Sequence, residues 1–181
     1  VLPMCDEPVQ TYVRTEGEWR QVQDYMIVQE GKPEVEDVEF RGAEDAQPTE
    51  EVERALEAAE VIVIGPSNPI ASIGPILALP GMREALHEAD APVVAVSPLV
   101  GGRSLKGPTE AFMRWAGLEV SHDGLASHYS GLIDGLLADE GSAAETASGL
   151  VVRQTDTMMA DHDARVRLAR ETLDFAQTLS G

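Results

Sequence analysis

The residues best suited to chemistry lie in two loops, each directly after a short apolar run. The first reads Val61-Ile-Val-Ile-Gly-Pro-Ser-Asn-Pro-Ile-Ala-Ser-Ile-Gly-Pro75. Its four leading apolar residues suit a strand buried on both faces, and the chain then breaks at Gly65 and Pro66. Ser67, Asn68 and Ser72 carry polar side chains, and Ser72 stands where it would cap a helix that tolerates Pro75 in its first turn. Backbone N–H groups from Ser67 to Gly74 would then face the ligand edge of a sheet. Such an arrangement holds phosphate without a positive side chain. Gly65, Ser67, Asn68, Pro69 and Ser72 are therefore candidate contacts to a phosphate-bearing ligand. The other reading is a tight strand-to-helix turn whose Gly and Pro serve geometry alone. The segment is neither a Walker loop nor the dinucleotide glycine fingerprint.

The second loop, Ser97-Pro-Leu-Val-Gly-Gly-Arg-Ser-Leu-Lys-Gly-Pro108, follows the apolar run Val93 to Val96. It holds Arg103 and Lys106, and the only other lysine in the chain is Lys32. Two adjacent glycines allow a ligand close to the backbone, and two cations in an acidic chain favour an anion. A surface loop with solvated charges is the alternative. On one sheet edge, the two loops would grip a phosphoanhydride from both sides and neutralise its leaving group.

Other polar residues are less specific. His122, Asp123 and His128 match no tight metal spacing, so capping or exposed roles fit them better. Asp134 and Asp139 bracket the apolar Gly135-Leu-Leu run, and Thr155-Asp-Thr157 reads as a turn. Cys5 has no evident base partner and is expected to be inert. Met158 and Met159 read as packing in preference to a cofactor contact.

Charge narrows the classes of partner. The chain has 181 residues with 32 acidic against 13 basic, a net charge of -19. Nucleic acid and anionic membrane surfaces are disfavoured, because phosphate binding draws on Lys and Arg clusters. High acid with little Lys is the surface of a salt-adapted protein, where screening relieves self-repulsion. A high-GC genome is the milder explanation. A single cysteine excludes an internal disulfide and a Cys-based zinc site. No apolar run reaches the ~18 residues of a membrane span and no basic leader is visible, so a cytoplasmic protein is expected. The first residues, Val-Leu-Pro-Met, read like a chain met midway.

Certain elements must hold these loops. Gln10 to Arg14 and Gln21 to Val28 are β-prone around the Glu16-Gly17 turn signal, the second run with a short helix as its alternative. Val35 to Phe40 alternates like a half-exposed strand. Thr49 caps a helix running to Ala59, with acids in its first turn. Strands at Val61 to Ile64 and Val93 to Val96 alternate with helical segments, including Pro108 to Ala116 and Asp161 to Leu179. Leu118 to Val120, Leu136-Leu137 and Val151-Val152 are weaker strand candidates. This order predicts an α/β fold, a three-layer Rossmann-like parallel sheet with helices on both faces, after a β-rich or mixed amino-terminal segment. The expected division is a mixed segment over 1–48 and an α/β portion over 49–181.

Five segments in one order carry a resemblance to a known family. They are Leu2-Pro-Met4 with Asp6-Glu-Pro-Val9; Gly65-Pro-Ser-Asn-Pro69 with Ser72-Ile-Gly-Pro-Ile-Leu77; Val94-Ala-Val-Ser-Pro98 with Gly101-Gly-Arg and Lys106-Gly-Pro; His128-Tyr with Asp134-Gly; and Thr155-Asp-Thr-Met158. Together they resemble the 2-phospho-L-lactate transferases, with Cys5 a mild departure where the family has a small polar residue. The resemblance implies transfer of a 2-phospholactyl or phosphoenolpyruvyl group from a guanosine-diphosphate-linked donor to the deazaflavin alcohol FO, in coenzyme F-420 biosynthesis. It implies release of GMP and a requirement for Mg²⁺. By analogy the Ser67 to Ser72 turn would contact the donor's diphosphate or guanosine, and Arg103 and Lys106 would stabilise its charge.

The family opens with a Gly-rich strand-turn-helix and metal-binding aspartates that are not found here. The expectation is that the metal ligands and part of the FO pocket belong to a segment before Val1, and that this chain alone is inactive or impaired. A truncated sheet would also leave an edge strand that prefers to be covered, which a homodimer would achieve. A related family of non-enzymatic, nucleotide-sugar-binding regulators shares the fold and a similar Gly-Pro turn. It carries a Gly-Ser-Leu-type sequence where this chain has Ser67-Asn68-Pro69, which favours the transferase.

Overall fold

A computed structural model of the chain describes residues 1–105, 107–139 and 150–179. Its first part is an antiparallel sheet. Strand β1 (Gln10–Thr15) turns through Glu16 and Gly17, both at positive φ, into β2 (Glu18–Gln21), and β3 (Asp37–Arg41) pairs on the other side of β1. The β-prone run from Gln21 ends almost at once. A π-helical turn, Asp24–Val28, takes its place, so the helical alternative holds there. Tyr25 is the reason: its ring is fully buried, edge-on to Phe112 at 5.8 Å, with its hydroxyl 3.1 and 2.9 Å from the carbonyls of Gly31 and Pro33. Burying one residue while Met26, Ile27 and Val28 all stay exposed is incompatible with strand alternation.

The second part alternates helix and strand: α1 (Glu50–Glu57), β4 (Ile62–Ile64), α2 (Gly74–Leu77), α3 (Met82–His87) and β5 (Val93–Val96). A small hairpin follows, β6 (Leu99–Val100) and β7 (Arg103–Ser104), turning through Gly101 and Gly102 at φ 57° and 75°. Then come α4 (Thr109–Trp115), α5 (His122–His128), β8 (Gly135–Asp139), β9 (Val151–Thr155) and α6 (His162–Gln177). Side chains cap three helices as their sequences suggest: Thr49 bonds the Val52 N–H, Ser121 the Gly124 N–H and Asp161 the Ala164 N–H.

Strands β4, β5, β8 and β9 form one parallel sheet in that order. The pleat of β5 explains the layers. Val93 and Ala95 join a core with Leu77, Met82, Leu86 and Leu125 from the helices on one face, whereas Val94 and Val96 pack with Leu168, Phe175 and Ala176 of α6 on the other. The three-layer α/β arrangement is therefore present. The antiparallel sheet joins it through a shared cluster in which Val13, Tyr25 and Val35 meet Ile70 and Phe112.

Two expectations fail locally. The Val61 to Ile64 run is not buried on both faces: β4 is the edge strand, and Val63 is 45% exposed because α6 lies over β5 and β8 instead. Leu118 to Val120 forms no strand, and leads into the Ser121 cap of α5.

Candidate functional site

All four strands of the parallel sheet run the same way, so the segments that follow them gather at one edge. A cleft of about 560 Å³ opens there. Pro66, Ser67, Asn68 and Ser72 of the loop after β4 form one wall. The loop after β5 gives Ser97, Pro98, Val100, Ser104, Leu105 and Gly107, with Thr109 from the start of α4. Thr157 to Ala160 follow β9, and Met26 reaches in from the π-helical turn, anchored by its buried neighbour Tyr25.

The predicted site residues separate into groups. Ser67, Asn68 and Ser72 line the cleft, while Gly65 and Pro69 belong to the same turn without lining it. Arg103 stands exposed on the hairpin, outside the cleft lining, although its neighbour Ser104 lines it. Lys106 lies outside the described residues.

The turn itself is not the open phosphate cradle that its sequence suggested. Asn68 organises it from within: its Oδ1 accepts the N–H groups of Ile70 and Ala71 at 3.0 and 2.9 Å. Its carbonyl accepts those of Ser72 and Ile73, both at 3.1 Å, and the Ser67 N–H donates to Gly65 at 2.7 Å. Five amides expected to face a ligand are thus spent inside the turn. Ser72 caps nothing either, since Ile73 occupies the cap position of α2 and no side chain bonds there. The local reason is that an Asn side chain competes for nearby backbone amides. One donor is left over: Asn68 Nδ2 is buried and has no partner among the described residues.

A carboxylate that sequence reasoning took for a strand bracket joins two walls. Asp139 ends β8 at 7% exposure. Its Oδ2 accepts the Gly101 N–H at 2.9 Å, and its Oδ1 accepts the Thr157 N–H at 3.2 Å and the Thr157 hydroxyl at 3.3 Å. Ser97 likewise steadies its own loop by accepting the Leu99 N–H at 3.1 Å.

Two histidines of α5 lie behind these loops. Burial pushes His122 below the ordinary histidine range, with Asp139 and then Asp123 pulling partly back, and neither ring nitrogen has a hydrogen-bond partner among the described residues. Burial and the nearby Arg83 charge also depress His128, against a hydrogen bond to the Pro69 backbone. Both are neutral at pH 7. In the unfolded chain they protonate near the usual histidine value of about 6.5. The unfolded state therefore takes up protons first, and stability falls as pH drops through that value toward the lower folded values. Thermal melts from pH 7.5 to 5 are expected to show this loss, and His122→Leu should remove part of it. Equal pH slopes for the two proteins would contradict a buried neutral His122.

Cys5 is buried, donates to the Glu7 carbonyl at 3.4 Å, and is pushed up by burial and by the Glu7 and Asp6 charges. Such a thiol is a poor nucleophile. Among the described residues no group of three His, Cys, Asp or Glu is placed to hold a metal ion.

The whole chain, not the cleft alone, has relatives. Residues 1–176 match the family described as 2-phospho-L-lactate transferase CofD. The chain belongs to that family. It is 40% identical over 173 residues to the 2-phospho-L-lactate transferase of Methanosarcina mazei, covering 93% of this chain and 56% of that one. It is 41% identical over 184 residues to the 2-phospho-L-lactate transferase of Methanopyrus kandleri, covering 100% and 59%. The phosphoenolpyruvate transferase of Streptomyces griseus is 40% identical over 186 residues, with 98% and 58% covered. The chain thus spans rather more than half the length of the curated relatives it matches. Among solved structures, protein BH3568 of Bacillus halodurans shares the fold at a TM-score of 0.65 and 17% identity, covering 95% of this chain and 61% of that one. A second structure of BH3568, described as a member of the UPF0052 family, gives a TM-score of 0.63 at 18% identity, covering 95% and 60%.

Within this CofD-family chain, sequence reasoning assigned Met26, Asp139 and Thr157 no place at the cleft, and it set Met158 aside with Met159 as packing, although both methionines line the cleft. A usable signal existed for Thr157 and Met158. They directly follow a strand of the parallel sheet, and that position alone places them at the ligand edge. No described helix is long and apolar enough to cross a membrane.

Proposed function

We propose that this chain carries a substrate site of a transferase of coenzyme F-420 biosynthesis. The reaction moves a 2-phospholactyl or phosphoenolpyruvyl group from a guanosine-diphosphate-linked donor to the deazaflavin FO and releases GMP. A ribityl hydroxyl of FO forms the new O–P bond, the phosphoanhydride to GMP breaks with GMP as leaving group, and the hydroxyl proton passes to solvent. The observation that supports this most is the cleft itself: three segments carrying the family resemblance, Gly65–Pro69, Gly101–Arg103 and Thr155–Met158, converge on its walls or border them. The relatives' names include both lactate and enolpyruvate donors, and both stay within the proposal.

In this reading Ser67, Ser72, Ser104 and Thr109 orient the donor by hydrogen bonds. Arg103, from outside the cleft lining, and Lys106 neutralise diphosphate charge as GMP departs. Because the chain spans 56% to 59% of the relatives' length, ligand protection is the expected result for it by itself, with little turnover. Thermal shift with GDP, FO and a UDP-sugar tests the reading, alongside chromatography for GMP when donor and FO are supplied together. Protection by GDP or FO supports it. Protection by the UDP-sugar alone would replace it with a nucleotide-sugar-binding regulator.

A further inference from the structure

We infer that the opening of the cleft is a methionine-oxidation site: peroxide converts Met26 and Met159 to sulfoxides ahead of the other methionines, and the added oxygens lower affinity for the ligand. The inference rests on the transferase reading only for the choice of that ligand. Placement is the first ground. Three of the six methionines, Met26, Met158 and Met159, line the cleft. Met26 and Met159 are 40% and 43% exposed, so a dissolved oxidant has access to their side chains. Met82 and Met113, at 3% and 0%, are sealed in the core with Leu77 and Leu125. Met4 and Met158 are half-buried, between these extremes. Exposure governs which sulfur meets the oxidant, so it sets the order of reaction.

The second ground is that no thiol competes. Cys5 is the single cysteine, and it is buried. Burial and the Glu7 and Asp6 charges hold it as the thiol, whereas the thiolate is the reactive form.

The third ground is how the backbone around the opening is tied. The Met158 N–H donates to Asp156 Oδ1 at 2.9 Å. Arg167 Nη2 in turn donates to the Asp156 carbonyl at 2.8 Å and lies 3.0 Å from its carboxylate. Thr157, between these residues, is fixed to Asp139. Met26 follows the fully buried Tyr25. These ties keep the methionines at the opening after they react, so oxidation alters the surface there and leaves the fold in place.

The step balances with hydrogen peroxide alone. The thioether sulfur attacks one peroxide oxygen, and the O–O bond breaks as the S–O bond forms. Sulfur is oxidised by two electrons; the displaced hydroxide takes the proton of the transferred oxygen and departs as water. A flexible apolar side chain thereby becomes a polar one. A ligand then covers it only by stripping water from the S–O group.

The test treats the 181-residue chain with dilute hydrogen peroxide, stops samples with catalase, and locates sulfoxides by tandem mass spectrometry. Met26 and Met159 are expected to react at least about tenfold faster than Met82 and Met113. Affinity for GDP or FO, measured by calorimetry before and after treatment, should fall about tenfold while the melting temperature holds. Reductases for the two sulfoxide epimers should restore it. In the double variant Met26→Leu/Met159→Leu, treated and untreated affinities should agree with each other. Oxidation of Met82 or Met113 as fast as Met26 and Met159 overturns the inference. So does full conversion of Met26 and Met159 with affinity unchanged, a loss that matches a fall in melting temperature, or an equal loss in the double variant. If the untreated chain binds neither GDP nor FO, the transferase reading sinks and the order of oxidation decides this inference by itself. Ligand binding and GMP formation that withstand oxidation of both residues do the reverse.

Discussion

Asp139→Ala is expected to lower stability by about 3 kcal/mol, and to weaken binding of GDP or FO beyond what that loss of stability explains. Asp139 accepts from Gly101 N, Thr157 N and the Thr157 hydroxyl, and no Lys or Arg forms an ion pair with it among the described residues. Hydrogen bonds to a charged acceptor contribute about 1.5–3 kcal/mol each. Gly101 is exposed, so water can replace its lost partner, which keeps the total near the value of one or two such bonds. Asp139→Asn should cost about 2 kcal/mol, because one amide oxygen can still accept while the NH₂ group meets an N–H donor. Urea denaturation of both variants measures the losses, and an Asn variant as stable as the unsubstituted chain would show the charge to be dispensable.

The bonded partners make Asp139 a positioning residue. Thr157 lines the cleft directly, and Gly101 turns the hairpin that presents Val100 and Ser104 to it. Leu168→Ala provides a control of comparable destabilisation on the far face of the sheet, where a large-to-small change costs about 2–5 kcal/mol. Affinity for GDP or FO should fall in Asp139→Ala and hold in Leu168→Ala. If both fall alike, Asp139 supports the fold and nothing more specific.

How far these features could be read in advance depended on how local their causes are. The Thr49 cap and the fully buried β5 were legible because a few adjacent residues determine them. The same apolar signal at Val61 to Ile64 misled, since a run of four cannot say whether a strand lies on each side. The Gly65 to Pro69 turn was placed correctly at the end of a strand. Its hydrogen bonding was not, because that depends on which way the Asn68 carboxamide turns. Asp139 was harder still. Its partners lie 38 residues before it and 18 after it, and loops have no periodicity to reveal them.

Gly124→Ala sets two local rules against each other, and packing is expected to win by about 3 kcal/mol. Gly124 lies in the first turn of α5, where alanine propensity alone would favour the substitution by about 1 kcal/mol. A Cβ there would stand 2.0 Å from the Glu119 carbonyl oxygen and 2.9 Å from its carbon. Both are backbone atoms, so no rotamer relieves the clash, and overpacking of this kind reaches or exceeds about 3 kcal/mol. Relief requires the 119–121 turn to open. That strains the Ser121 N–H to Glu119 bond at 2.9 Å and the Ser121 cap on the Gly124 N–H at 3.0 Å, the cap alone contributing about 1 kcal/mol. The displacement would also travel, because α5 carries His122 beside Asp139 and ties His128 to the Pro69 backbone of the cleft turn. Urea unfolding gives the sign directly: a stabilised Gly124→Ala would mean that helix propensity governs this turn and that the close approach of Glu119 does not.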